Sequence, residues 1–302
     1  MRFRLLAVLA VGALAFSCRK PETGVRIDPA LATIVPADTI ALAGVKIEGI
    51  RETALYKKYL EKSETLRIDE LSKATGFDPR TDLYELLLVS NGKDALVMAR
   101  GKFTPLGLEP KPTEGIQRMS YGGLNLLGDE KTAVAFINPS VAVAGPTPVL
   151  KHFIDHRTET NGIPAALHDQ MSAVRPSSQV WAVALGGERL LALIPKSGNM
   201  ANLNRMLGDV QWATLSLDMH TGVDLLAQAQ YSNEKSAKQT GDALRALLGF
   251  ARLNTPNNEP DLLKAYDGIQ VNQLGMVLKF TAQLSPEMID KLSAVVSRQT
   301  RP

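Results

Sequence analysis

The sequence predicts an α+β protein, mainly antiparallel sheets with helices packed on one face. Three observations predict it. Asn91-Gly92 stands between two apolar runs, LYELLLVS and KDALVMAR, a favoured hairpin signal because both turn residues tolerate positive φ. Further strand pairs of this kind recur along the chain, each closed by a short polar, Gly or Pro turn. Between them lie segments of helical period, the longest being 234–251, with Ala237, Ala243, Leu244, Leu247, Leu248 and Ala251 on one face.

Taken in order, 38–47 (DTIALAGVKI) reads as a strand and 52–61 as a helix with Leu55, Tyr59 and Leu60 on one side. A short helix over 66–75 ends at Gly76. The hairpin 83–100 follows, then a loop at 104–113 carrying Pro105, Pro110 and Pro112. Strands are expected in 119–127 and 132–144, with turns or bulges at Gly122-Gly123 and a turn at Asn138-Pro139. A helix over 146–156 buries Val149, Leu150, Phe153 and Ile154. In the second half, 189–194 reads as a strand and 200–207 as a helix. Strands 211–219 and 223–231 flank His220-Thr221-Gly222, and a further pair spans 269–272 and 276–284. Ser285-Pro286-Glu287 opens the last helix, with Ser as N-cap and Pro where a missing N–H costs nothing; Met288, Ile289, Leu292, Val295 and Val296 form its stripe. Each half thus reads strand, helix, hairpin, insert, hairpin, helix. Two architectures stay open: related lobes at 31–158 and 179–302 joined by a connecting segment at 159–178, or one α+β domain of irregular topology.

The N-terminus carries an address. Met1-Arg2-Phe3-Arg4 is basic, and residues 5–16 carry no charge and no strong polar group. That is the length of a signal-peptide core and too short to span a bilayer, which takes about 20 apolar residues. Ala13-Leu14-Ala15 is a site for ordinary signal peptidase. Leu14-Ala15-Phe16-Ser17-Cys18 resembles the lipobox of bacterial lipoproteins, which makes residues 1–17 the signal peptide and Cys18 the acylated first residue of the mature chain. Cys18 is the only cysteine of the chain, so no intramolecular disulfide competes for it, and an unpaired thiol in this position is what a lipid acceptor requires. Residues 18–30 then serve as attachment point and tether, with Pro21, Gly24 and Pro29 among polar residues. The resemblance implies a periplasm-facing protein of the cell envelope; Arg19, in place of an inner-membrane retention Asp, leans toward the outer membrane.

Three stretches, VPADTIALAGVKIEGIRETALYKKYL, FDPRTDLYELLLVSNGKDALVMARGKF and GIQVNQLGMVLKFTAQLSPEMIDKL, are similar to envelope lipoproteins of acidobacteria and related phyla. The resemblance spans most of the mature chain. It implies a fold, and neither an activity nor site residues.

Composition narrows the function classes. Loss of residues 1–17 removes Arg2 and Arg4 and lowers the formal charge from +3 to +1, with no polybasic run, so no nucleic-acid partner is expected. At 5% aromatics, a stacking surface for bases or sugars has little material. No G-x-S-x-G, G-x-x-x-x-G-K-[ST] or G-x-G-x-x-G occurs, and no cofactor is expected. Ser232-Asn233-Glu234-Lys235 fits S-x-x-K but opens a surface helix, where Ser232 is a cap candidate. Trp181 and Trp212 fall in strands and read as core.

The one suggestive string is His152-Phe153-Ile154-Asp155-His156. Two His at i and i+4 share a helix side and suit a zinc ion, in the pattern H-x-x-E-H with Asp155 in place of the general-base Glu. The plainer reading is a helix C-terminal turn where cationic His and Arg157 complement the macrodipole. His168 on a helix surface and His220 in a hairpin turn add nothing by spacing. Three functions remain in play: a non-catalytic, lipid-anchored scaffold or binding module meeting an envelope protein partner; a carrier of an apolar ligand between two lobes; and a zinc-dependent hydrolase using His152 and His156. The oligomeric state is not set by the sequence.

Overall fold

A computed structural model describes residues 24–60, 77–103, 117–160, 162–186, 208–256 and 259–291. Cys18, the helices expected at 66–75 and 200–207, the strand at 189–194, the loop 104–113, and Leu292, Val295 and Val296 lie outside the described residues.

Twelve strands form one continuous sheet in which every pairing is antiparallel. They are β1 (Ala41–Lys46), β2 (Leu83–Ser90), β3 (Ala95–Gly101), β4 (Gln117–Tyr121), β5 (Leu124–Gly128), β6 (Thr132–Asn138), β7 (Val141–Pro146), β8 (Val180–Leu185), β9 (Val210–Asp218), β10 (Val223–Tyr231), β11 (Ile269–Leu274) and β12 (Val277–Leu284). Their spatial order is β11-β12-β10-β9-β8-β1-β2-β3-β7-β6-β5-β4. The two halves of the chain therefore meet inside one sheet, at the β1–β8 pair, where Leu42 faces Val183 and Gly44 faces Trp181. The α+β class is as the sequence predicts.

Helices cover opposite faces in the two halves. Helices α1 (Pro29–Ala32), α4 (Thr147–His156) and α5 (Ala165–Met171) cover the face that carries Leu42, Leu87, Met98, Val143 and Trp181. In α4, Leu150, Phe153 and Ile154 recur at i, i+3 and i+4 and are all 5% exposed or less. The short helices α2 (Ile47–Glu52) and α3 (Pro79–Asp82) lie beside β2, and a π-helical turn spans Tyr56–Leu60. In the second half α6 (Glu234–Leu253) packs with Ala213, Ala229, Leu278 and Phe280, which strand alternation places on the other face. Helix α6 starts at Asn233, whose side chain accepts the Ser236 N–H at 2.9 Å; Asn233, not Ser232, is the cap. Its buried positions Ala237, Thr240 and Gly241 are small, so the helix lies close to the sheet. Leu247, expected in the stripe, is 61% exposed, because it flanks rather than continues the line through Ala237, Gly241, Leu244 and Leu248.

Helix α7 (Pro260–Asp267) went unread in the sequence, as did the one-turn helices α1 and α3, while α5 is the helix expected to carry His168, within the connecting segment 159–178. The β2–β3 hairpin sits where Asn91-Gly92 places it but is closed differently. Ser90 pairs with Ala95, so four residues close the loop, and Asn91 Oδ1 accepts the N–H groups of Lys93 and Asp94. The two-residue turn with both φ positive occurs instead at Gly122-Gly123, between Tyr121 and Leu124. Ser285 caps the last helix as expected, its Oγ accepting the Met288 N–H.

One buried charge ties α1 to the sheet. Glu85 is 9% exposed; its Oε2 accepts the Asp28 N–H at 3.1 Å, while Oε1 is buried without a partner. Burial pushes its carboxyl above the ordinary glutamate range, against the pull of that N–H and of Lys46 across the strand pair. A raised folded-state value stabilises the fold below the unfolded value of about 4.3 and loses that contribution as pH climbs through the folded value. Glu85→Gln keeps an acceptor for Asp28. Its urea midpoint should exceed the wild-type midpoint at pH 7.5 and converge with it at pH 4.

Candidate functional site

Two cavities lie on opposite faces of the first-half sheet. The larger, about 670 Å³, occupies the face that α1 and α4 leave open. Strand alternation builds it: Leu87, Met98, Ala135 and Val143 point to the helices, so Leu86, Val97, Ala99, Val134, Phe136, Ala142 and Ala144 point the other way. Phe77 and Phe103 stack at 5.5 Å, and Phe103 meets Phe136 at 6.1 Å, which closes one side with aromatic rings. Among the described residues the only charged one of the lining is Asp129. Its carboxylate is held below its usual range by the N–H groups of Thr132 and Lys131, each at 2.8 Å, and so closes the β5–β6 turn. Among the described residues no nucleophile, base or donor pair converges here, and the chemistry of these walls is that of an apolar binding site.

The smaller cavity, about 350 Å³, is a cleft on the helix-covered face, between α4, the segment before β1 and the β2–β3 turn. It holds His152 and His156, whose rings lie 4.3 Å apart, as their i, i+4 spacing dictates. His156 Nδ1 lies 2.9 Å from the His152 carbonyl oxygen, which can only accept, so Nδ1 carries the hydrogen. A catalytic zinc takes three protein ligands. Among the described residues no group of three or more His, Cys, Asp or Glu side chains is placed to hold a metal ion, and Asp155 instead accepts the Tyr121 hydroxyl at 2.8 Å. Among the described residues, then, the two imidazoles have no third ligand.

The other sequence candidates scatter. His168 is exposed on α5, and His220 lies in the β9–β10 turn beside Asp218 at 2.8 Å. Trp181 is fully buried in the core, while Trp212 is half-buried on β9. Neither cavity was read from the sequence. The larger one has a signal there: β2, β3, β6 and β7 run as LLLV, ALVMA, AVAFI and VAVA, apolar on both faces rather than alternating.

No protein-family model matches the chain, and no curated protein matches it in sequence. Solved structures do. Crystal form III of TP0453 superposes with a TM-score of 0.51 at 12% identity, over 90% of this chain and 99% of that one. The fold resembles that of TP0453. Crystal forms IV and I of TP0453 give TM-scores of 0.49 and 0.46 at 11% and 12% identity, over 90% and 89% of this chain and 97% and 98% of theirs. At this identity the likeness concerns architecture alone. Among the described residues no helix is long and apolar enough to cross a membrane.

Proposed function

We propose that the protein is a non-catalytic, lipid-anchored binding protein of the bacterial cell envelope that holds an apolar ligand, such as an acyl chain, in the large cavity of its sheet. The observation that carries this reading is a space of about 670 Å³ lined, among the described residues, mainly by Leu, Val, Ala and Phe with a single, internally satisfied carboxylate. Its size falls in the range of small-molecule sites, roughly 300–1,000 Å³. It lies on one face of the first half, not between two lobes as the sequence suggested for a carrier. Burying a methylene contributes about 0.8 kcal/mol, so eight of them supply about 6 kcal/mol against the cost of immobilising the ligand. A fluorescent polyene fatty acid titrated into the protein should show saturable emission that palmitate displaces. Emission that stays linear in probe, with no displacement, would remove the ligand and leave a scaffold acting by protein contact.

The address rests on the lipobox-like Leu14–Cys18 and on the likeness to acidobacterial envelope lipoproteins, with the outer membrane favoured by Arg19. A diacylglycerol on Cys18 together with an N-acyl chain exceeds the two-chain threshold for stable anchoring. Cys18→Ser should abolish incorporation of radioactive palmitate and release the protein from membranes. Undiminished label in the variant would refute the anchor.

A further inference from the structure

The walls of the large cavity change character along its length. Strand β6 lines it at every second position, with Thr132, Val134 and Phe136, so its two ends stand four residues, or about 13 Å, apart. One end is aromatic: Phe103, stacked on Phe77, meets the Phe136 ring. From there Phe136 faces Ala142, Ala142 faces Ala99, and Ala99 faces Leu86 across three strand pairs. Two methyl groups thus lie between two large side chains, and the next row repeats a small residue with Ala144 between Val134 and Val97. The result is a trough that follows the strands, with a volume suited to a ligand of one chain.

The other end is polar and negative. There the Asp129 N–H donates to the Thr132 carbonyl at 2.8 Å, and Asp129 Oδ1 accepts the Lys131 and Thr132 N–H groups. These bonds fix an exposed carboxylate at the rim and hold it ionised. Among the described residues no Lys, Arg or His lines the cavity, and Glu130 and Lys131, the other charged residues of the turn, are exposed and outside the lining. A head group placed among the phenylalanines would lose its hydration without a partner, so it belongs at the Asp129 end. A fatty acid would bring a second carboxylate to that end, where like charges repel; a hydroxyl instead donates to the one already there.

Resting on the reading of this cavity as an apolar site, we propose that it selects a single-chain lipid with an uncharged, hydroxyl-bearing head group over a free fatty acid. The tail lies along the trough toward Phe77, Phe103 and Phe136, the head sits at Asp129 and Thr132, and Asp129 is the residue that sets the preference. Fatty acids still enter through their chains, and bind less tightly for their charge.

The test is competition of 1-monolauroylglycerol and of laurate, which share one acyl chain, against the fluorescent polyene fatty acid bound to the full mature chain at pH 8, each below its micelle concentration. The glyceride should bind at least fivefold more tightly than laurate at low salt, and the margin should shrink at high salt as the charges are screened. Asp129→Asn keeps an oxygen for the Lys131 and Thr132 N–H groups and removes the charge. It should tighten laurate at least threefold and leave the glyceride within twofold. Glu130→Gln, outside the lining, should keep the preference. Equal displacement by the two ligands, a margin indifferent to salt, or a preference that survives Asp129→Asn, with the probe still saturable, would overturn head-group selection and leave the apolar cavity standing. A probe that never saturates would remove the cavity reading and this proposal with it.

Discussion

Trp181→Ala is expected to destabilise the fold by about 3–5 kcal/mol, the range for emptying a large aromatic site in a core. Trp181 is fully buried on β8 at the seam where the two halves of the sheet join, and its indole lies over the backbone of Gly44 on β1. A Cβ at Gly44 would come within 2.3 Å of the indole ring atoms, so Gly44 is the complement that makes room for the ring. Gly44→Ala should therefore be destabilising by about 1–3 kcal/mol through overpacking rather than through a cavity. Trp181→Phe separates two contributions. The indole N–H is buried with no hydrogen-bond partner, and its loss removes a penalty of about 1–3 kcal/mol that offsets part of the smaller cavity. Phe should accordingly cost far less than Ala. Urea midpoints of the three variants check this; equal losses for Phe and Ala would show that the ring does not fill the seam as described.

Ala99→Trp is expected to abolish binding of an apolar ligand while the protein stays folded. Ala99 on β3 pairs directly with Ala142 on β7, and both line the large cavity. Ala99 is half-buried, so an indole there grows into the cavity rather than into the helix-covered core. Occupying the space should reduce the affinity for the polyene probe at least a hundredfold, about 2.8 kcal/mol in binding free energy. Near-unchanged circular dichroism would accompany the loss. An unchanged urea midpoint would tell a blocked cavity from a damaged fold. An affinity within threefold of wild type would place the ligand elsewhere.

What the sequence conveys and what it leaves out divide along a physical line. Features set by neighbours in the chain were legible. The stripe Leu150, Phe153, Ile154 identifies α4 because three apolar residues at helical spacing need no information from elsewhere. Asn91-Gly92 located its hairpin, although the Asn91 side chain, by accepting two N–H groups and donating to Asp38, selects a four-residue loop over the two-residue turn. Helix α7 was missed because it is about two turns long and buries only Ala265, and α5, expected only as the surface helix that carries His168, was given no bounds because it is as short and buries only Leu167 and Met171. The sites were less legible than the elements. The helix supplies His152 and His156 together, but Thr39, Asp38, Asp94 and Glu159 reach the same cleft only through the pairing of β1 with β2 and the packing of α4. The apolar runs of β2, β3, β6 and β7 announce a sheet buried on two sides. That α4 covers one side and α6 covers the other only in the second half is a matter of topology, which local pattern does not encode.

The most direct measurement of the central claim is native mass spectrometry of the protein extracted from its own membranes in mild detergent. An apolar ligand held in the cavity predicts a stoichiometric mass above that of the acylated chain, present in the wild type and absent from Ala99→Trp. The bare acylated mass in both proteins, with no palmitate-displaceable probe, would contradict it.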